Sequence, residues 1–341
     1  MHLSTSNSRV LALSGRRPIV LIQRAHVYQL LVVIALTCFA AEAGMWWYTR
    51  NFSRYIRQFD MDYNQAAALK HNRGSKSLLI VGNSTLKHGV DVNSLKNTLG
   101  SGYDCHALAI EATTYVDWFF ALKELFRRGT QPDYVVLVLP AKHVLELLPV
   151  LDFSAYYLIG ARDIPALARA ENLKATEASD VAMEHFSVFY ANRSRLRAKV
   201  KQHLFPAFES MAIKYMRSSS AAEPPTMGNN PLQDLKALCE RNGTTIVFVI
   251  PPTNQPDQVG TSKLLELARE ARMTAAMPLP DSDLTSSDYS DGFHLNEAGR
   301  AVFTASLAGY LREELARHME RTSVAEEQRD LSYVGDRNLW R

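Results

Sequence analysis

From residue 77 onward, short apolar runs alternate with longer amphipathic stretches. Residues 77–81 (SLLIV) form a continuous apolar run stopped by Gly82, the pattern of a strand buried on both faces. Residues 92–99 have helical spacing and end at Gly100. Residues 105–110 read as a second strand, 115–128 as a helix closed by Gly129, and 134–139 (YVVLVL) as a third strand closed by Pro140. Helical spacing then extends from about 144 to 216, and 218–230 has loop composition. A helix at 232–241, a fourth strand at 245–250 (TIVFVI), a helix at 261–271, a short fifth strand at 273–277 and a final amphipathic helix at 296–315 complete the pattern. Strands alternating with helices predict an α/β domain at 77–320 whose parallel sheet is covered on both faces. About 100 residues separate strands three and four, so 144–230 reads as a helical insertion.

The N-terminal pattern differs. Residues 27–48 (VYQLLVVIALTCFAAEAGMWWY) are apolar on all sides, with Glu42 the one acidic or basic group. That length spans a bilayer core as a helix of ~20 residues. Tyr28 at one end and Trp46, Trp47 and Tyr48 at the other suit the membrane interface. Arg9, Arg16, Arg17 and Arg24 precede the segment and predict a cytoplasmic N-terminus over 1–26, although Arg50, Arg54 and Arg57 follow it. The expectation is a single-pass anchor in the inner (cytoplasmic) membrane, with the folded domain on the periplasmic or extracellular side. A cleaved signal peptide is the competing reading, because Ala41-Glu42-Ala43 resembles a cleavage site. The apolar stretch continues past that site as aromatics, which favours the anchor. Residues 49–76 read as a polar helical stalk, and 321–341 as a polar tail without fixed structure.

Composition adds little to this picture. Of 341 residues, 47% are hydrophobic and 21% charged, as expected of a globular chain, and the net charge of +3 argues against a nucleic-acid partner. The three cysteines, Cys38, Cys105 and Cys239, form no CxxC pair and have no metal-ligand spacing with histidine. A bridge between Cys105 and Cys239 stays open, with free buried thiols the commoner outcome. His88, His106 and His143 stand apart from other ligands, so no metal and no cofactor is expected. Five cations at 191–201 (ANRSRLRAKVK) read as a solvated helix face, or as a contact for headgroups or acidic glycan.

In parallel sheets the active site forms at the carboxyl ends of the strands. After strand one comes Gly82-Asn83-Ser84, a serine on a tight turn into a helix, where backbone amides face a developing oxyanion. Near the chain's end stands Ser290-Asp291-Gly292-Phe293-His294-Leu295-Asn296, where a loop brings a carboxylate to an imidazole three residues on. A helix cap and a surface histidine are the bland readings of the two motifs taken singly. Asp288 lies nearby, but the Asp-x-x-His spacing selects Asp291.

Together, the stretches LLIVGNSTLKHGVDVNSLKNTLG and SDGFHLNEAGRAVF resemble the first and last blocks of the SGNH (GDSL-like) hydrolase superfamily, with Asn83 where the motif has aspartate. The resemblance spans roughly 77–316. It implies a flavodoxin-like three-layer sandwich with a five-stranded parallel sheet, Ser84 as nucleophile, His294 as general base and Asp291 as its orienting partner. It also implies an oxyanion hole from the Ser84 amide, a glycine amide after strand two and an asparagine after strand three. Ala112 stands near the glycine's place, and Lys142 near that of the missing asparagine. A lost donor costs on the order of 3–4 kcal/mol in the transition state, so either Lys142 supplies charge or the site is tuned away from ordinary ester hydrolysis. The departures resemble exported, membrane-anchored members that work with membrane-bound O-acyltransferases on envelope polymers. The implied substrate is an acylated glycan or similar ester, hydrolysed or transferred through an acyl-enzyme. A non-catalytic scaffold in an envelope polysaccharide assembly is the rival, distinguished by whether Ser84, His294 and Asp291 lie within hydrogen-bond reach.

Overall fold

The apolar runs become the five strands of one parallel sheet: β1 (Lys76–Gly82), β2 (Tyr103–Ala109), β3 (Tyr134–Val138), β4 (Thr245–Val249) and β5 (Thr274–Ala276), in the order β2-β1-β3-β4-β5. This is the flavodoxin-like doubly wound order, with β1 the first strand and flanked on both sides. The computed structural model describes residues 24–72, 74–145, 152–204, 230–255 and 257–337. It divides into two units, Met1–Gly44 and Met45–Arg341.

Alternate residues of each strand feed two cores. Leu79, Val81, Val135, Leu137, Ile246 and Phe248 face one side, and Leu78, Ile80, Val136, Val138, Val247 and Val249 the other. The first face is covered by α2 (Arg54–Ala68), α5 (Tyr115–Arg127), α11 (Pro231–Arg241) and α12 (Gln258–Glu270). The second is covered by α3 (Ser84–Gly89), α4 (Val92–Leu99) and α13 (Glu297–Arg337), through Leu86, Leu95, Phe303 and Leu307. The α/β sandwich read from the sequence is therefore observed. Cys105 belongs to one core and Cys239 to the other, so both remain free thiols.

The first helix, α1, spans Arg24–Asn51. Within His26–Asn51 an 18-residue window has a mean hydropathy of 1.8 and none of it is buried, so the helix is long and apolar enough to cross a membrane.

Three expectations need correction. The segment 49–76 is not a free stalk: Ile56, Phe59, Tyr63 and Ala66 of α2, at helical spacing, bury one face of that helix in the first core. Nor does the last helix stop near 315, since α13 continues to Arg337. Residues 321–334 contain neither Pro nor Gly, so nothing in them breaks the helix. Finally, the helical stretch expected from 144 to 216 is broken among the described residues. After the short α6 (Lys142–Leu145) it forms α7 (Asp152–Tyr157), α8 (Ile164–Ala170), α9 (Ala175–Phe186) and α10 (Val188–Leu204). Asn172 adopts a left-handed φ of 50° between α8 and α9. Residues 146–151 and 205–229, with most of the expected loop at 218–230, lie outside the described residues.

The insertion docks on α5 through buried Asp163, which receives Lys123 Nζ at 2.7 Å and Arg127 Nη1 at 3.0 Å. Two of its cations turn inward instead of lining a solvated face. Arg193 bonds Glu184 at 2.8 Å, and the Arg195 guanidinium lies 4.6 Å from the ring centroids of both Tyr55 and Phe153. Tyr157 stacks on Phe153 at 4.5 Å and meets the Phe59 ring of α2 edge-on at 5.5 Å, so it packs the insertion against α2.

Candidate active site

Gly82 ends β1 where the chain must turn beneath its neighbour. A Cβ there would stand 2.4 Å from the Val138 carbonyl and 2.9 Å from Leu86 Cβ, so only glycine lets β1, β3 and α3 approach this closely. Asn83 then caps α3, and its Oδ1 accepts from the Thr85 amide at 2.9 Å. Ser84 follows as the first residue of α3, so its own amide has no intrahelical acceptor.

The 289–295 loop is a small closed hairpin. Tyr289 and Leu295 form an antiparallel bridge and both are buried, and the Ser290 amide donates to the His294 carbonyl at 2.8 Å. Gly292 at the tip has φ +78°, open to glycine without strain. Inside this loop Asp291 Oδ1 accepts from the amides of His294 (2.8 Å) and Phe293 (3.0 Å). Its Oδ2 accepts from His294 Nδ1 at 2.7 Å, and His294 Nε2 receives the Ser84 hydroxyl at 2.9 Å. Hydrogen bonds from the His294 backbone amide and ring hold the Asp291 carboxyl at about 2. The structure thus joins Ser84, His294 and Asp291 across 210 residues of chain in one hydrogen-bonded line. Asp288 is occupied elsewhere, accepting from the amide and hydroxyl of Thr285.

Ala112 lies in the loop after β2, beside β1, and has φ +61°. This is the conformation glycine adopts freely and alanine at a cost of roughly 1–2 kcal/mol. The loop is pinned by the fully buried Thr113, whose hydroxyl donates to the Ile110 carbonyl (2.7 Å) and accepts from the Trp118 indole (2.9 Å). The Ala112 amide donates to no other group among the described residues. Lys142 opens α6 after β3. Its ammonium lies 4.9 Å from the Phe293 ring centroid, at the wall of a cavity of ≈ 250 Å³ that also meets Ile250, Thr253, Asp257 and Asp281.

Three neighbours went unnoticed as site residues in the sequence reading. His143 accepts a hydrogen bond from Asn83 at 2.6 Å. His88, one turn after Ser84 on α3, sets its ring 4.9 Å from that of His294. Burial and the adjacent His294 push the His88 imidazole below its usual range. Glu111, next to Ala112, receives Lys87 Nζ at 2.6 Å, which keeps its carboxyl below the usual range. The i, i+4 spacing of Ser84 and His88 is a visible signal in the sequence; the Asn83–His143 pairing depends on strand order and has none. Among the described residues no group of three or more His, Cys, Asp or Glu is placed to hold a metal ion.

Fold and site together define an α/β protein with a serine, a histidine and an aspartate in line at the carboxyl edge of its sheet. No family model matches the chain, and no curated protein matches it. Among solved structures, the crystal structure of protein YxiM from Bacillus subtilis is similar at 11% identity and a TM-score of 0.33, over 70% of this chain and 57% of that one.

Proposed function

We propose that the chain is a membrane-tethered serine esterase or O-acyltransferase of the SGNH (GDSL-like) type, acting on an acylated glycan of the cell envelope. The observation that carries this reading is the Ser84–His294–Asp291 line, with contacts of 2.9 and 2.7 Å. Both lie within the reach required of a nucleophile, its base and the base's orienter, which favours an enzyme over a scaffold. Ser84 Oγ attacks the ester carbonyl as His294 Nε2 takes its proton. The Ser84 and Ala112 amides, with Lys142 nearby, receive the oxyanion. His294 returns the proton to the departing alcohol and leaves an acyl-serine. Water or a sugar hydroxyl, deprotonated by His294, then attacks the acyl group and frees Ser84.

The apolar helix supports a single membrane span, the arginines that precede it favour an inner-membrane anchor with the domain outside the cytoplasm, and a membrane-bound O-acyltransferase is the partner such an arrangement suits. A groove of ≈ 820 Å³ along edge strand β2, meeting Tyr55, Arg54, Leu86 and Lys87, offers a path for a polymer past α3. Turnover of an acetyl ester with and without a glycan acceptor tests the reading. Acetate alone marks a hydrolase and an acetylated acceptor marks a transferase. Neither product, with any donor, refutes both.

A further inference from the structure

The Asn83 carboxamide is fully buried, and its hydrogen bonds reach α3, the loop after β2 and α6. Its Oδ1 accepts from the amide (2.9 Å) and the hydroxyl (2.8 Å) of Thr85. Its Nδ2 donates to the Thr113 carbonyl at 3.2 Å and to His143 Nδ1 at 2.6 Å. The two Thr85 donors fix which end of the amide is oxygen, so a flipped carboxamide would set N–H against N–H. His143 Nδ1 is therefore the acceptor and carries no proton. Burial and the neighbouring Lys142 charge agree with this, pushing the imidazole down to about 4.

Sheet order explains the bridge. β1 lies between β2 and β3, so a side chain at the end of β1 has the β2 loop on one side and the β3 loop on the other. Asn83 directly precedes Ser84, Thr113 directly follows Ala112, and His143 directly follows Lys142. One buried amide thus ties the nucleophile's turn to the β2 loop and to α6, which bear the other two oxyanion-hole candidates.

We infer that His143 is a positioning residue: its unprotonated Nδ1 holds the Asn83 carboxamide and so aligns Ser84 and the Ala112 amide for the oxyanion. This role rests on the acyl-enzyme reading of Ser84. Small misplacements of reacting groups cost up to about 100-fold in rate.

The test uses the full chain with p-nitrophenyl acetate as substrate. His143→Leu removes the acceptor and should lower kcat about 10- to 100-fold, with KM within about threefold of native. His143→Asn restores an acceptor oxygen near the Nδ1 position and should recover most of that loss. Turnover of the Leu variant equal to native, or an Asn variant as slow as the Leu variant while both melt near the native temperature, overturns the inference. Nitrogen-15 NMR of histidine-labelled native protein gives a readout independent of variant folding. The His143 ring should carry its proton on Nε2 at pH 7, and a proton on Nδ1 overturns the role whatever the activity. A native chain that never acylates Ser84 instead brings down the proposed function, and a native chain that acylates normally beside an unimpaired Leu variant brings down the positioning role alone.

Discussion

Asp291→Asn separates the chemical use of the carboxylate from its structural use. Asp291 Oδ1 holds the Phe293 and His294 amides, and an asparagine oxygen in the same place keeps both bonds. The loop should therefore stay closed and the melting temperature should change by no more than a few degrees. Oδ2 becomes an NH2 group facing His294 Nδ1, where the aspartate accepts at 2.7 Å. The ring must then present a bare Nδ1 and carry its proton on Nε2, the atom that has to receive the Ser84 proton. Where the aspartate of such a triad is buried, this exchange costs about 10⁴ in kcat. Here the Asp291 side chain is 56% exposed, so water screens part of its effect on the imidazolium. A loss of about 10²–10³ is expected, or roughly 3–4 kcal/mol. Asp291→Ala, which leaves Nδ1 free to bond water, should be less stable than the Asn variant yet no slower. The assay is steady-state acetyl-ester turnover beside thermal melting of the same samples. An Asn variant within about threefold of native turnover would refute the tautomer argument.

Other outcomes follow from single residues. Ala112→Gly removes a left-handed alanine and should be neutral or stabilising by up to ~1 kcal/mol with activity kept, whereas Ala112→Val should destabilise by ~1–2 kcal/mol or more and slow turnover; melting curves and ester assays distinguish the two. Lys142→Ala should lower kcat at least about tenfold if the ammonium serves the oxyanion, and unchanged turnover removes it from the mechanism. Glu171, buried near Asp117, has its carboxyl raised by burial and by that charge from 4.5 to about 7. The folded form thus binds this proton more tightly than the unfolded chain. The associated stability is full below about pH 4.5 and lost as pH rises through about 7. Melting at pH 5 and pH 8 should show a fall of about 1–2 kcal/mol in the native chain that Glu171→Gln removes; parallel curves for the two proteins would count against it.

The strands were legible because a parallel sheet covered on both faces requires unbroken apolar runs, and Gly82, Pro140 and Pro251 mark where those runs end. Ser84, Asp291 and His294 were legible because two local motifs, each with internal spacing, flank the domain. Residues whose role depends on which strands lie side by side were not. Nothing local in HNRGSK or the preceding helix separates a stalk from a covering layer, except the spacing of Ile56, Phe59, Tyr63 and Ala66. His143 passed as an isolated histidine because its partner, Asn83, lies 60 residues away across the β1–β3 pairing. Arg193 and Arg195 sit in a run of cations, and only the packing of the insertion shows them turned inward.

Reaction of Ser84 with a fluorophosphonate probe tests the central claim most directly. The full-length chain in detergent or membranes should be labelled at Ser84 in a peptide map. Ser84→Ala should take up no label, and His294→Ala should be labelled at least about 100-fold more slowly. A native chain that stays unlabelled, or a Ser84→Ala variant labelled as fast as native, would contradict the assignment of Ser84 as nucleophile.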